Sequence, residues 1–121
     1  MRQVWLNYSI EGKVTDLDYL LTRLAMRGHI RSTRRGEAFA VAYAAHLLGV
    51  EPEFVKRGRR YHVYLSRSGR EKLQKAMGER GLTQLRDLLR RAYFAYLEWE
   101  QVKKWQGVSL ADYFNSLCAI V

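Results

Sequence analysis

Residues 36 to 48 constrain this chain more than any other segment. The run AFAVAYAAHLL, entered at Gly36 and ended at Gly49, is apolar on nearly every side when wound as a helix. A helix with no polar face belongs in the centre of a domain, with other elements packed around it. A chain of 121 residues is the size of one domain, and we find no internal repeat, low-complexity tract or linker. One domain over 1–121, built around residues 36–48, is therefore expected.

The flanking segments supply partners for that helix. Residues 3–10, QVWLNYSI, partly alternate and carry Val, Trp, Tyr and Ile, which reads as a strand. Thr15 with Asp18 forms a capping-box signal ahead of Leu17, Leu20, Leu21 and Leu24, so a helix is expected over about 16–27, closed by Gly28. His29 to Arg35 reads as a basic loop. Glu53–Lys56 and Arg60–Ser66 read as two strands of a hairpin turned through Arg57-Gly58-Arg59. On the second strand Tyr61, Val63 and Leu65 share one face and Arg60, His62 and Tyr64 the other. Ser68 with Glu71 signals the start of a helix ending at Gly81. Residues 83–106 form the longest helix, with Leu85, Leu89, Ala92, Tyr96 and Trp99 in one stripe, and Ser109 with Asp112 caps a short last helix. The expected fold class is α+β: mainly helical, with a basic hairpin and an N-terminal strand that completes a small sheet.

Charge narrows the function classes. Lys and Arg number 21 against 12 acidic residues, a net charge of +9, and 15 of the 21 are arginine, whose planar fork suits phosphate. The excess is local: Arg23–Arg35 holds five arginines and no acid, and Lys56–Lys75 holds eight basic residues and only Glu71. Thermophilic origin is a competing account of a charge-rich chain, but thermophily enriches both signs and leaves no excess of nine. Charge concentrated in this way is the footprint of a phosphate-binding surface, with an acidic protein or anionic membrane as the other partners to weigh. Arg27, Arg31, Arg34, Arg35, Lys56, Arg57, Arg59, Arg60, His62, Tyr64, Arg67 and Arg70 are the candidate contact residues. No stretch approaches the roughly 18 apolar residues of a membrane span, no apolar leader opens the chain, and a lone Cys118 fits a reducing cytoplasm.

The segment FVKRGRRYHVYLSRSGREKL, residues 54–73, resembles the wing and following helix of winged-helix proteins of the MarR and PadR type. Leu65, Ser66, Gly69, Arg70 and Leu73 stand nearly where those families carry their Leu-Thr-x-x-Gly-Arg-x-x-x-Leu-like segment. The resemblance implies a winged-helix-like fold, wing contacts from Arg57, Arg59 and Arg60 to phosphates or a minor groove, and dimerisation through 83–106. It does not extend upstream, where helix 36–48 offers only Glu37, Tyr43 and His46 among apolar neighbours and reads as core rather than as a base-reading helix. A helix–hairpin–helix order around a buried helix is also similar to half of a LAGLIDADG-type homing endonuclease. The family's defining helix with a terminal acid is missing, so no cleavage activity carries over.

Catalytic and metal chemistry find few candidates. Asp16 with Asp18 reads as helix capping, Glu98 and Glu100 point to different sides of their helix, and Glu51 with Glu53 reads as solvated. His62, between Arg60 and Tyr64, is the best titratable candidate and could serve a metal-free ribonuclease as general base. His46 reads as a core histidine, His29 as a loop residue and Cys118 as a small buried hydrophobe. No cofactor or metal site is expected. Leu88, Ala95 and Val102 add a second apolar line to the long helix, with Tyr93, Phe94 and Trp105 nearby. That helix either lies centrally or pairs with its own copy, and a homodimer through 83–106 is the favoured expectation, since a chain this short buries limited surface alone. The expectation is a non-catalytic nucleic-acid-binding protein, DNA more than RNA, with transcriptional regulation as one role such a protein could fill. A structural or assembly subunit, viral or ribonucleoprotein, is the alternative, and the small ribonuclease ranks last.

Overall fold

The structure, a computed structural model, describes residues 2–119, with side chains at 11–101 and 107–119. It is α+β. Five helices, α1 (Arg2–Arg27), α2 (Arg35–Leu47), α3 (Arg67–Gly78), α4 (Leu82–Gln106) and α5 (Leu110–Ala119), accompany three strands, β1 (His29–Ser32), β2 (Glu53–Arg57) and β3 (Arg60–Tyr64). The strands form one antiparallel sheet in the order β1-β3-β2.

Helix α2 is the centre of the molecule. Gly36 to Ala42, Ala44 and Ala45 are all buried, and α1, α4, α5 and all three strands contact it. Its alanines let neighbours approach closely, while Phe39 fills the space between them. The Phe39 ring lies about 6 Å from those of Tyr43, Phe54, Tyr96, Tyr113 and Phe114. One carboxylate enters this apolar setting: Glu37, 6% exposed, accepts from Arg34 Nη1 at 3.1 Å and Lys13 Nζ at 3.4 Å. The pairing is what makes a buried acid tolerable.

The stripe Leu85, Leu89, Ala92, Tyr96 and Trp99 is buried as a set against α2, so the long helix is a central element on that face. Leu88 and Ala95, from its second apolar line, also pack on the core, whereas Val102 and Trp105 lie outside the described side chains. Ser109 caps α5 by accepting from Asp112 N–H at 3.1 Å. In the hairpin, Gly58 takes φ +62° and Arg59 does not have positive φ, the pattern of a two-residue turn that needs glycine first.

Four expectations are corrected. Residues 3–10 are helical, not a strand: they belong to α1, which runs unbroken to Arg27. The stripe Val14, Leu17, Leu21, Leu24 extends backwards at helical spacing through Ile10 and Leu6, and that period prevails over the partial alternation. Thr15, Asp16 and Asp18 therefore lie mid-helix and cap nothing; Thr22 bonds back to the Asp18 carbonyl at 2.9 Å. The expected loop at 29–35 contains β1, which is held by pairing with β3 and not by its own composition. Finally, α3 starts two residues earlier than Ser68 implies, because Ser66 is the cap and accepts from Gly69 N–H at 3.1 Å. It ends at Gly78 rather than Gly81, its last turn tightened by bonds from Glu79 and Arg80 N–H to Lys75 and Met77 carbonyls.

Gly28 is the joint between α1 and the sheet. It has φ +74°, and a Cβ there would meet Arg70 Cδ at 2.5 Å, so both backbone and space call for glycine. Its carbonyl accepts from Leu65 N–H at 2.8 Å, which carries the β1–β3 ladder one step beyond the strands.

Candidate nucleic-acid interface

The strand register sorts the sheet into two faces. Directly opposed residues point the same way, so Ile30, Val63 and Phe54 form a buried inner row against α2. The outer face carries His29, Tyr64 and Glu53 in one row, Arg31, His62 and Val55 in the next, and Arg60 opposite Arg57 beside the turn. At the β1 edge, α1 brings Arg23 and Arg27, four residues apart and hence on one helix face, alongside the strand. Between α1 and β1 lies a cleft of about 620 Å³ lined by Leu20, Arg23, Arg27, His29, Ile30 and Arg31. Among the described residues its lining holds three arginines and no carboxylate.

The twelve candidate residues divide by what their side chains already do. Arg27, Arg31, Arg57, Arg59 and Arg60 are exposed, and among the described residues none of them, nor Arg23, forms an ion pair. They lie along the outer sheet face, the cleft and the turn. Lys56 faces the opposite side, its ammonium 5.8 Å from the Tyr61 ring centre. Arg67 is exposed on α3 and lies 3.9 Å from Glu71.

Three arginines are occupied in holding the fold. Arg34 pairs with Glu37. Arg35 donates from Nε to the Tyr96 hydroxyl at 3.0 Å, reaches Glu100 at 3.5 Å and lies 5.2 Å from the Trp99 ring centre. Tyr96 in turn donates to Glu100, and burial together with that carboxylate pushes the phenol up to about 12. Arg70 donates from Nη2 to the Met26 carbonyl at 2.9 Å, next to Gln74, which donates to the Ala25 carbonyl at 2.7 Å. These two α3 side chains satisfy carbonyls at the end of α1 that the helix itself leaves open.

His29, a loop residue on the sequence reading, belongs to this face. It is stacked on Tyr64, ring centres 4.5 Å apart and planes within 6°, and its Nε2 lies 3.0 Å from His62 Nδ1. The Tyr64 hydroxyl is 3.3 Å from the same His62 nitrogen. A hydrogen bond between two imidazoles needs one nitrogen unprotonated, and the setting favours that state. Burial first, then His62, Arg31 and Arg57, hold His29 below its ordinary value of 6.5. His29 therefore binds protons less readily folded than unfolded, so its contribution to stability is complete above pH about 6.5 and is lost as pH falls below it. A thermal melt should show a lower midpoint at pH 5.5 than at 7.5, and H29N should reduce that difference. An undiminished difference in the variant would assign the pH effect to another group.

His46 is half-buried on α2, its ring 6.0 Å from Tyr43 and near parallel to it. Cys118 is half-buried too, and burial pushes its thiol up, away from the reactive thiolate. Glu51 and Glu53 are exposed. Among the described residues no three or more His, Cys, Asp or Glu side chains gather in a way that could hold a metal ion, and no helix is long and apolar enough to cross a membrane. No protein-family model matches the sequence, and neither a curated protein nor a solved structure matches it.

Proposed function

We propose that this chain binds nucleic acid, holding phosphates along the α1–β1 cleft and the outer face of the sheet, without cutting them. The observation that carries the reading is the set of six arginines, Arg23, Arg27, Arg31, Arg57, Arg59 and Arg60, exposed along the cleft, the outer sheet face and the turn without ion pairs among the described residues. Unpaired guanidinium groups repel one another and are stabilised when an anion arrives. A sugar–phosphate backbone supplies one anion for each nucleotide, and an arginine can take a phosphate with two donors. Among the described residues Glu53 is the sole carboxylate on the outer face of the strands, and Glu51 lines the same recess beside Arg57 and Tyr64.

The hairpin tip belongs to this surface through Arg57, Arg59 and Arg60. It does so in the manner the winged-helix resemblance implies, although α2, the helix lying between β1 and β2, is buried and presents no base-reading side. Binding to a labelled oligonucleotide, measured against salt concentration, tests the reading. If four phosphates are neutralised, the plot of log affinity against log salt should fall with a slope of about −3 to −4. A flat slope, or no binding at low salt, would sink it.

A further inference from the structure

We infer that the partner is single-stranded nucleic acid, its unpaired bases stacking on the His29, Tyr64 and His62 rings while the arginines on either side hold its phosphates. The inference rests on the reading of this face as a phosphate-binding surface and adds the class of strand.

The three rings form a set. Their planes lie within 8° of one another, with centres 4.5 to 5.7 Å apart, and they come from two neighbouring strands on the outer face. Tyr61, on the other side of the same strand, packs on the core cluster, whereas Tyr64 does not belong to it, and all three rings are half-exposed. Aligned, half-exposed aromatic rings on an open sheet offer a stack that a free base can extend, whichever base it is.

Charge is arranged around the rings in keeping with this. Arg23, Arg27 and Arg31 lie towards the β1 edge and Arg57, Arg59 and Arg60 towards the turn, so a strand crossing the sheet meets cations at both ends and rings between them. Arg57 sits 5.6 Å from the Tyr64 ring centre. Being exposed and in no ion pair among the described residues, it can swing onto a phosphate and leave that ring to a base. Glu53 stands opposite Tyr64, beside the rings and away from the cleft. A carboxylate there repels a phosphate but accepts hydrogen bonds from exocyclic amino groups on base edges. A duplex fits this layout poorly, since its base faces are hidden in its own stack and three strands make a platform about 10 Å across, not a wedge for a groove.

The test compares a mixed-sequence 20-nucleotide single strand with the same sequence as a duplex, by fluorescence anisotropy at equal salt. The single strand should bind at least about tenfold more tightly. Y64L should lose about tenfold in single-strand affinity, the scale of one stacked base, with the salt slope unchanged, and Y64F, which keeps the ring and loses only the hydroxyl contact with His62, should recover most of that loss. Melting curves confirm that each variant is folded, and the strand comparison on the parent protein requires no variant. Equal or tighter duplex binding, or a Y64L protein that binds single strands normally, would overturn this inference and leave the phosphate reading in place. Failure to bind either form at low salt would overturn both.

Discussion

The triple variant R23Q/R27Q/R31Q is expected to bind nucleic acid about a thousandfold more weakly than the parent, from roughly 1.5 kcal/mol for each charge-assisted hydrogen bond removed. All three side chains line the α1–β1 cleft, and all three are exposed. The salt slope should become shallower by about 2 to 3, because fewer counterions are displaced. Stability should hold or rise slightly, since among the described residues none of the three has an ion pair to lose and their mutual repulsion is relieved. The contrasting substitutions are R35Q and R70Q. Arg35 holds Tyr96 and Glu100, and Arg70 holds the Met26 carbonyl, so these variants should melt earlier and change binding little. Unchanged affinity in the triple variant would show that the cleft is not where phosphates are held.

Truncation of Phe39 to alanine should produce the largest loss of stability of any single core substitution. The side chain is fully buried and meets five other aromatic rings from α2, α4, α5 and β2. Its neighbours on α2 are mainly alanines, which cannot move in to fill the space. A cost of about 3–5 kcal/mol follows from lost burial together with the cavity left behind. That is a large part of the roughly 5–15 kcal/mol by which a domain is stable, and corresponds to a fall of about 10–20 °C in Tm. Urea and thermal unfolding measure it directly. A loss below about 1 kcal/mol would mean that the helices do not converge on Phe39 as described.

These two substitutions also show which parts of the molecule can be read from residues alone. The burial of α2 follows from a helix with no polar side, and the α4 stripe from steps of three and four, because both signals are local and repeated. The hairpin is legible because its turn needs glycine at one position and its strand alternates. Strand β1 is not. HIRS is four residues long with three polar side chains, and it is a strand only because β3, more than 30 residues later, bonds to it. Without β1 there is no reason to single out His29, whose partners Tyr64 and His62 lie across that pairing. The α1 error has the opposite origin: a few β-favouring residues suggest a strand locally, while the helical stripe continues through them. Sequence density draws attention to the arginines. Density cannot separate Arg31, left open on β1, from Arg35 and Arg70, which are spent on Tyr96 and on the end of α1. That division depends on tertiary contacts.

The tie between α3 and the end of α1 bears on the thermodynamics of association. Arg70 and Gln74 fasten the Ala25 and Met26 carbonyls, and Gly28 joins the same point to β3 through Leu65. Arg23 and Arg27 thus rise from an anchored helix turn, and Arg31 from a strand bonded along its length, none of them from a loop. Backbone that is already fixed has no conformational freedom left to surrender when a ligand arrives. On the proposed binding of nucleic acid, the entropy lost on this protein's side would be confined to arginine side chains, and the release of counterions from the nucleic acid would oppose it. Calorimetry on the complex should accordingly find a more favourable entropy of binding at low salt than at high salt.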